Sequence, residues 1–142
     1  MGQTFTLNSG DLRFTAAEQG KGPLVLFLHG FPDCSHSFRH QLPFLAEHGY
    51  RAVSVSLRGY EPSSQPSDGD YSLETIAGDV IAFIDQLGEE KAHLIGHDWG
   101  AAITYTAGAA APERFHSLTT MAVPHSGRFV NEAFFKPKQA LL

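Results

Sequence analysis

Apolar residues follow two different spacings along this chain. The unbroken apolar run 24–28 is typical of a strand that is covered on both faces. From Leu73 to Leu87 apolar residues recur at helical intervals, and Gly88 follows as a helix stop. The predicted strands are 4–7, 12–17, 24–28, 52–57, 92–95 and 118–123, and the predicted helices are 38–48, 73–87 and 99–111. Pro43 indicates that the first of these helices starts late or is kinked. Strands and helices in this alternation predict an α/β fold with a mostly parallel sheet.

Composition and charge narrow the class of protein. The 142 residues are 42% hydrophobic, which is enough for one folded domain and excludes a disordered chain. The formal net charge of −5 disfavours nucleic acid as a partner. The chain has no apolar run near the ~20 residues of a membrane span. The single cysteine, Cys34, cannot form an internal disulfide, so we expect a cytoplasmic protein.

The sequence Gly96-His97-Asp98-Trp99-Gly100 lies between a predicted strand and a predicted helix. A Gly-x-nucleophile-x-Gly run in that context is the pattern of a nucleophile elbow, in which the central residue occupies a strained turn. Asp98 holds the central position, although the same residue could instead cap the following helix. A carboxylate that attacks an ester carbonyl gives a reactive anhydride, whereas attack on a saturated carbon gives an ester that water can cleave. Asp98 therefore indicates an epoxide or alkyl halide substrate.

Hydrolysis of such an ester needs two hydrogen-bond donors for the oxyanion. Elbow geometry makes the backbone N–H of Trp99 the first donor. The loop after the apolar run, His29-Gly30-Phe31-Pro32, supplies the second, which we assign to the backbone N–H of Phe31. We also expect the side chains of Phe31, Pro32 and Trp99 to contact the substrate.

The segments 29–32, 58–60, 96–100 and 123–125 together resemble the α/β-hydrolase superfamily, and most closely its epoxide hydrolase branch. The resemblance implies an α/β-hydrolase fold, an Asp nucleophile, lid tyrosines that protonate the alkoxide, and a histidine that activates water. It also implies that residues 1–125 belong to the core domain and that 126–142 begin the lid. The sequence then corresponds to the N-terminal half of an enzyme, without the last strands, the lid tyrosines or the base, and His125 is not expected to replace that base.

Other functions remain open from the sequence. A dehalogenase would use the same Asp98 ester, but relatives of that kind commonly carry Asn at the position of Phe31. A non-catalytic fragment is the third interpretation, and the strand 118–123 would then form an exposed edge through which chains could self-associate. His36 and His40 stand four residues apart without the glutamate of a zinc-protease helix, so we expect no metal and no cofactor. The expected partners are a small-molecule substrate and water.

Overall fold

The computed structural model describes residues 2–125 and residue 127. The predicted start of the lid at 126–142 therefore lies outside the described residues, apart from Gly127. The strands are β1 (Gln3–Ser9), β2 (Leu12–Gln19), β3 (Leu24–Leu28), β4 (Arg51–Val55), β5 (Ala92–His97) and β6 (Phe115–Met121). The helices are α1 (Gln41–Glu47), α2 (Leu73–Gln86) and α3 (Trp99–Ala110), with short 3-10 helices at Ser35–Phe38 and Pro112–Arg114.

All six of these strands form one mixed sheet in the order β1-β2-β4-β3-β5-β6. β1 pairs with β2, and β2 with β4, in antiparallel fashion. The pairs β3–β4, β3–β5 and β5–β6 are parallel. The predicted α/β class with mostly parallel pairing is confirmed.

The five apolar residues of β3 are buried because both faces of this strand are covered. Successive side chains of a strand point to opposite faces. Leu24, Leu26 and Leu28 pack with α2 and α3 residues such as Phe83 in the larger core, whereas Val25 and Phe27 pack with Phe38 and Leu42 on the other face. β3 is therefore the central strand, and its carboxyl end leads directly into the loop that begins at His29.

Several predicted boundaries were wrong. The predicted helix at 38–48 is divided between a 3-10 helix and α1, and Pro43 stands in the first turn of α1, where a backbone N–H has no helical partner. The predicted strand 52–57 ends at Val55, because the Leu57 N–H donates to a side chain, Nε2 of His29 (3.0 Å). The last strand is 115–121, since a positive φ of 72° at Ala122 ends it before Val123.

The loop after β4 is anchored to α2 by a buried ion pair. The guanidinium of Arg58 donates two hydrogen bonds of 2.7 Å to the Asp79 carboxylate and one of 2.8 Å to the Asp70 carbonyl. Ser72 caps α2, since its Oγ accepts the Thr75 N–H (3.3 Å). Within residues 2–125 and 127, no helix has the length and hydropathy that a membrane span requires.

Candidate active site

Asp98 occupies the sharp turn between β5 and α3. Its backbone has φ 55° and ψ −118°, a conformation that residues with a side chain rarely adopt. Close packing on both sides needs residues without a β-carbon: a Cβ on Gly96 would lie 2.1 Å from the Gly100 carbonyl oxygen, and one on Gly100 would lie 2.1 Å from that of Leu28. The two glycines of the motif therefore let α3 approach β3 and β5, as a nucleophile elbow requires.

The Asp98 side chain makes a long-range hydrogen bond and does not cap α3. It makes no capping hydrogen bond to α3, so the alternative in which Asp98 serves as a helix cap does not hold. Its Oδ1 instead accepts the backbone N–H of Phe31 at 2.9 Å, across 67 residues of sequence. The two residues that the sequence analysis paired in one site thus lie in direct contact.

Gly30 makes this contact possible. A β-carbon on Gly30 would lie 2.4 Å from the Cβ of Asp98 and 2.6 Å from its Oδ1. Any side chain at this position would occupy the space of the carboxylate. The loop can therefore present the Phe31 N–H to Asp98 only because residue 30 has no side chain.

The surroundings of Asp98 favour its carboxylate. Hydrogen bonding from the backbone N–H of Phe31, and next from that of Trp99, lowers the pKa of Asp98 below its ordinary value of 3.8. Burial and the charge of Asp33 act in the opposite direction but are smaller than the effect of the Phe31 N–H. The group is therefore ionised at neutral pH.

The apolar side chains next to Asp98 face solvent. Phe31 is 64% exposed and Trp99 is 55% exposed, and Pro32 is exposed as well. Their predicted contacts with a substrate remain predictions. A cavity of about 560 Å³ lies elsewhere, between β1, β2, β4 and α1, and His36 and His40 line it.

Two further residues at the site, His29 and Tyr60, had no predicted role. His29 is fully buried directly before Gly30, and the ring of Tyr60 packs edge-on against it at 4.6 Å between centroids. Burial and the negative charge of Asp98 raise the pKa of Tyr60, so its hydroxyl remains protonated. A polar residue at the end of an otherwise apolar strand was the one signal in the sequence that could have identified His29.

His125, which the sequence analysis excluded as the base, packs its ring against Tyr105 at 5.0 Å. Its Nδ1 accepts the backbone N–H of Gly127 at 3.2 Å. The hydrogen bond from Gly127 occupies Nδ1 of His125, and these contacts indicate no chemical role for Nε2. The exclusion of His125 therefore remains a prediction.

Comparison with known proteins places these features in a family. The family model described as the alpha/beta hydrolase fold matches residues 23–140. The chain is 38% identical over 138 residues to epoxide hydrolase 2 of Siraitia grosvenorii, which covers 96% of this chain and 44% of that protein. It is 42% identical over 111 residues to epoxide hydrolase B of Mycobacterium tuberculosis, which covers 78% of this chain and 31% of that protein.

A solved structure of a protein named an epoxide hydrolase has the same fold as this chain. The crystal structure of an epoxide hydrolase from Vigna radiata superimposes with a TM-score of 0.84 at 38% identity, and covers 87% of this chain and 39% of that one. The chain spans about two fifths of the length of the first relatives it matches, at 44%, 38% and 42%. From the family match and the common architecture, the chain belongs to the α/β hydrolase fold family.

Proposed function

We propose that this chain carries the nucleophile and the oxyanion donors of an epoxide hydrolase. The observation that carries the proposal is the 2.9 Å hydrogen bond from the Phe31 N–H to Oδ1 of Asp98, at the turn before α3. Similarity to proteins named epoxide hydrolases supports the choice of substrate class.

The hydrogen bond distinguishes the two carboxylate oxygens. Oδ1 is held by Phe31, so Oδ2 is the oxygen that attacks a ring carbon of the epoxide. The new bond joins Oδ2 to that carbon while the ring C–O bond breaks, and the released alkoxide takes a proton. Asp98 is then an alkyl ester whose carbonyl oxygen is Oδ1.

Water completes the reaction by adding to Cγ of that ester. Negative charge develops on Oδ1, and the N–H groups of Phe31 and Trp99 stabilise it. Loss of one such donor typically slows a reaction by about a hundredfold or more. Collapse of the intermediate breaks the Cγ–Oδ2 bond, so the diol leaves with Oδ2 and the carboxylate keeps one oxygen from water. In this proposal, the proton donor for the alkoxide and the base for water lie outside the described residues.

A dehalogenase would share the Asp98 ester and differ in the leaving group. A halide ion needs N–H donors, and the side chain of Phe31 provides none. The exposed indole of Trp99 offers one N–H. Epoxide opening is therefore the primary proposal, and the alkyl halide belongs in the test as a second substrate.

Intact mass spectrometry tests the proposal directly. The chain is incubated with styrene oxide, and separately with an alkyl halide, beside the isosteric variant Asp98→Asn. We expect a single epoxide adduct on the wild type, located at Asp98 by peptide mapping, and none on the variant. In water labelled with heavy oxygen, any adduct that hydrolyses leaves the label in the Asp98 carboxylate.

The other outcomes decide between the alternatives. An adduct with the alkyl halide alone would replace the epoxide proposal by the dehalogenase. An adduct that forms equally on Asp98→Asn would exclude Asp98 as the nucleophile. If a well-folded wild-type chain forms no adduct with either substrate, the non-catalytic interpretation replaces the proposal for this chain.

A further inference from the structure

Each ring nitrogen of His29 takes part in one hydrogen bond inside the protein. Its Nδ1 lies 2.9 Å from the carbonyl oxygen of Gly30, and its Nε2 lies 3.0 Å from the backbone nitrogen of Leu57. The side chain is fully buried and makes both contacts away from water. Both contacts are to the backbone. One is to Gly30 in the loop 29–32, and the other is to Leu57 just beyond β4.

The partners determine the tautomer of the ring. The Leu57 backbone nitrogen can only donate, so Nε2 must be the unprotonated acceptor. Nδ1 then carries the proton and donates it to the Gly30 carbonyl oxygen. Burial lowers the pKa of His29, which keeps the ring neutral and preserves the acceptor at Nε2.

The Gly30 carbonyl and the Phe31 N–H belong to one planar peptide group. In a trans peptide, the C=O and N–H bonds point in opposite directions. His29 binds the oxygen end of this group, and Oδ1 of Asp98 accepts from the nitrogen end at 2.9 Å. Rotation of the peptide would break both bonds and turn the carbonyl oxygen toward the carboxylate of Asp98, where it would repel negative charge.

We propose that His29 is a positioning residue whose Nδ1–H fixes the orientation of the Gly30–Phe31 peptide and thereby aims the Phe31 N–H at Asp98. The catalytic role of this arrangement rests on the proposed function, in which the Phe31 N–H is an oxyanion donor. Tyr60 supports the arrangement, since its ring packs edge-on against the imidazole and restricts its rotation.

Two substitutions separate the two hydrogen bonds of His29. The amide nitrogen of Asn coincides with Nδ1 of His, so His29→Asn retains a donor for the Gly30 carbonyl and loses the acceptor for Leu57. The longer side chain of Gln places its amide group at Nε2, so His29→Gln retains a polar partner for Leu57 and loses the donor for Gly30. Each variant loses one buried hydrogen bond of the same kind, so the two form a matched pair with comparable losses of stability.

The first measurement is on the wild-type chain and needs no substitution. Nitrogen NMR of the histidine side chains reports which ring nitrogen of His29 carries the proton. We expect protonated Nδ1 and unprotonated Nε2 throughout the neutral range. A His29 ring with Nε2 protonated, or doubly protonated at neutral pH, would overturn the proposal.

The second measurement follows the Asp98 carboxyl by carbon NMR across pH, which requires no catalytic activity. We expect His29→Asn to keep the depressed pKa of Asp98 and His29→Gln to raise it toward the ordinary value of 3.8. Equal Asp98 titrations in the wild type and both folded variants would overturn the positioning role. Loss of folding in His29→Gln alone, with His29→Asn folded and unchanged at Asp98, would support the Gly30 bond as the essential one. Loss of folding in both variants would replace positioning by a purely structural role.

The third measurement links His29 to the chemistry. Decay of the Asp98–styrene oxide ester at alkaline pH requires hydroxide and the oxyanion donors, but no protein base. We expect this decay to be about tenfold or more slower in His29→Gln than in the wild type, and near wild type in His29→Asn. If the wild type forms no ester, the proposed function fails, while the carboxyl titration still decides the role of His29.

Discussion

Gly30 and Asp98 approach so closely that a β-carbon on Gly30 would lie 2.4 Å from the β-carbon of Asp98. No real pair of β-carbons tolerates that separation, so one of the two segments must move when residue 30 gains a side chain. Since one segment is the turn at Asp98 and the other is the loop 29–32, movement of either one changes the contact between Phe31 and Asp98.

Gly30→Ala is therefore expected to damage both folding and chemistry. Overpacking of this kind lowers the free energy of unfolding by about 1–3 kcal/mol. We also expect the rate of Asp98 alkylation to fall by at least about tenfold, because a misplacement of a reacting group by about 1 Å can slow a reaction by about a hundredfold. Gly78→Ala is the matched control: nothing lies within 4 Å of its β-carbon position, and Ala stabilises a helix interior by up to about 1 kcal/mol relative to Gly. Equal effects of the two substitutions would contradict the steric explanation.

The pH dependence of alkylation should reflect the depressed pKa of Asp98. Hydrogen bonds from Phe31 and Trp99 place the folded-state pKa of Asp98 below 3.8, so the carboxylate persists at all higher pH and is lost only as the pH falls through that lower value. We expect the rate of adduct formation to be flat from about pH 8 to about pH 5, while circular dichroism confirms that the chain is folded. A rate that declines below about pH 6 in folded protein would indicate a raised pKa instead.

The same shift has a consequence for stability. A carboxyl group with a depressed folded-state pKa stabilises the folded protein above its unfolded pKa and loses that contribution as the pH falls. Asp70 acts in the same sense, because hydrogen bonds from Thr75 and Ser72 lower its pKa to about 2. Acid unfolding should therefore shift to higher pH in Thr75→Val, while Thr106→Val, a change in another helix, leaves the midpoint nearly unchanged.

The ion pair between Arg58 and Asp79 offers a test of the loop that follows β4. Arg58 is 6% and Asp79 2% exposed, so removal of one partner leaves a buried charge without compensation. We expect Arg58→Met to lower the free energy of unfolding by about 3–5 kcal/mol in urea titrations. The double variant Arg58→Met/Asp79→Leu should recover much of the loss. If Asp79→Leu fails to rescue Arg58→Met, the buried charge is not the cause.

The sequence predicted those elements whose pattern arises from burial. β3 is apolar throughout because both faces are covered, and α2 has a clean apolar stripe because one face packs on the sheet. The start of β6 was missed because His116 and Ser117 are exposed polar residues that give no apolar alternation. The position of β4 between β2 and β3 depends on long-range pairing, which local pattern does not encode.

The sequence also predicted part of the candidate site. Asp98 and Phe31 belong to short motifs, and the structure brings the two residues into direct contact. Their roles in one site stay a prediction. His29 was missed because its importance comes from which backbone groups it meets after folding, and Leu57 stands 28 residues away. Sequence spacing cannot provide that information. A polar residue directly after the apolar strand β3 marks the position but does not show which backbone groups the ring meets.

The edge of the sheet at β6 predicts self-association. Within the described residues β6 pairs with β5 alone, and Leu118 and Met121 are 42% and 41% exposed. An uncovered edge strand readily pairs with another chain. We expect size-exclusion chromatography with light scattering to show oligomers that Thr119→Lys shifts toward the monomer, while Gln41→Lys, at an exposed position of α1, does not. A wild-type chain that is monomeric at high concentration would contradict this expectation.

The backbone of Asp98 makes a further prediction about stability. A residue with a side chain at φ 55° and ψ −118° is strained by about 1–3 kcal/mol, whereas Gly adopts this conformation readily. Asp98→Ala and Asp98→Gly both remove the carboxylate, so their difference isolates the strain. We expect Asp98→Gly to have the larger free energy of unfolding, opposite to the usual order of Gly and Ala. An Ala variant that equals or exceeds the Gly variant would exclude backbone strain at this turn.

In the proposed mechanism the strained position is also the reactive one, so two selections applied to residue 98 would act in opposite directions. In a library randomised there, survivors of a heat challenge should be enriched in Gly, and survivors of an epoxide-detoxification screen should retain Asp. A ranking of variants by thermal tolerance alone would discard the proposed nucleophile first, and any engineering of this scaffold for robustness must hold residue 98 fixed.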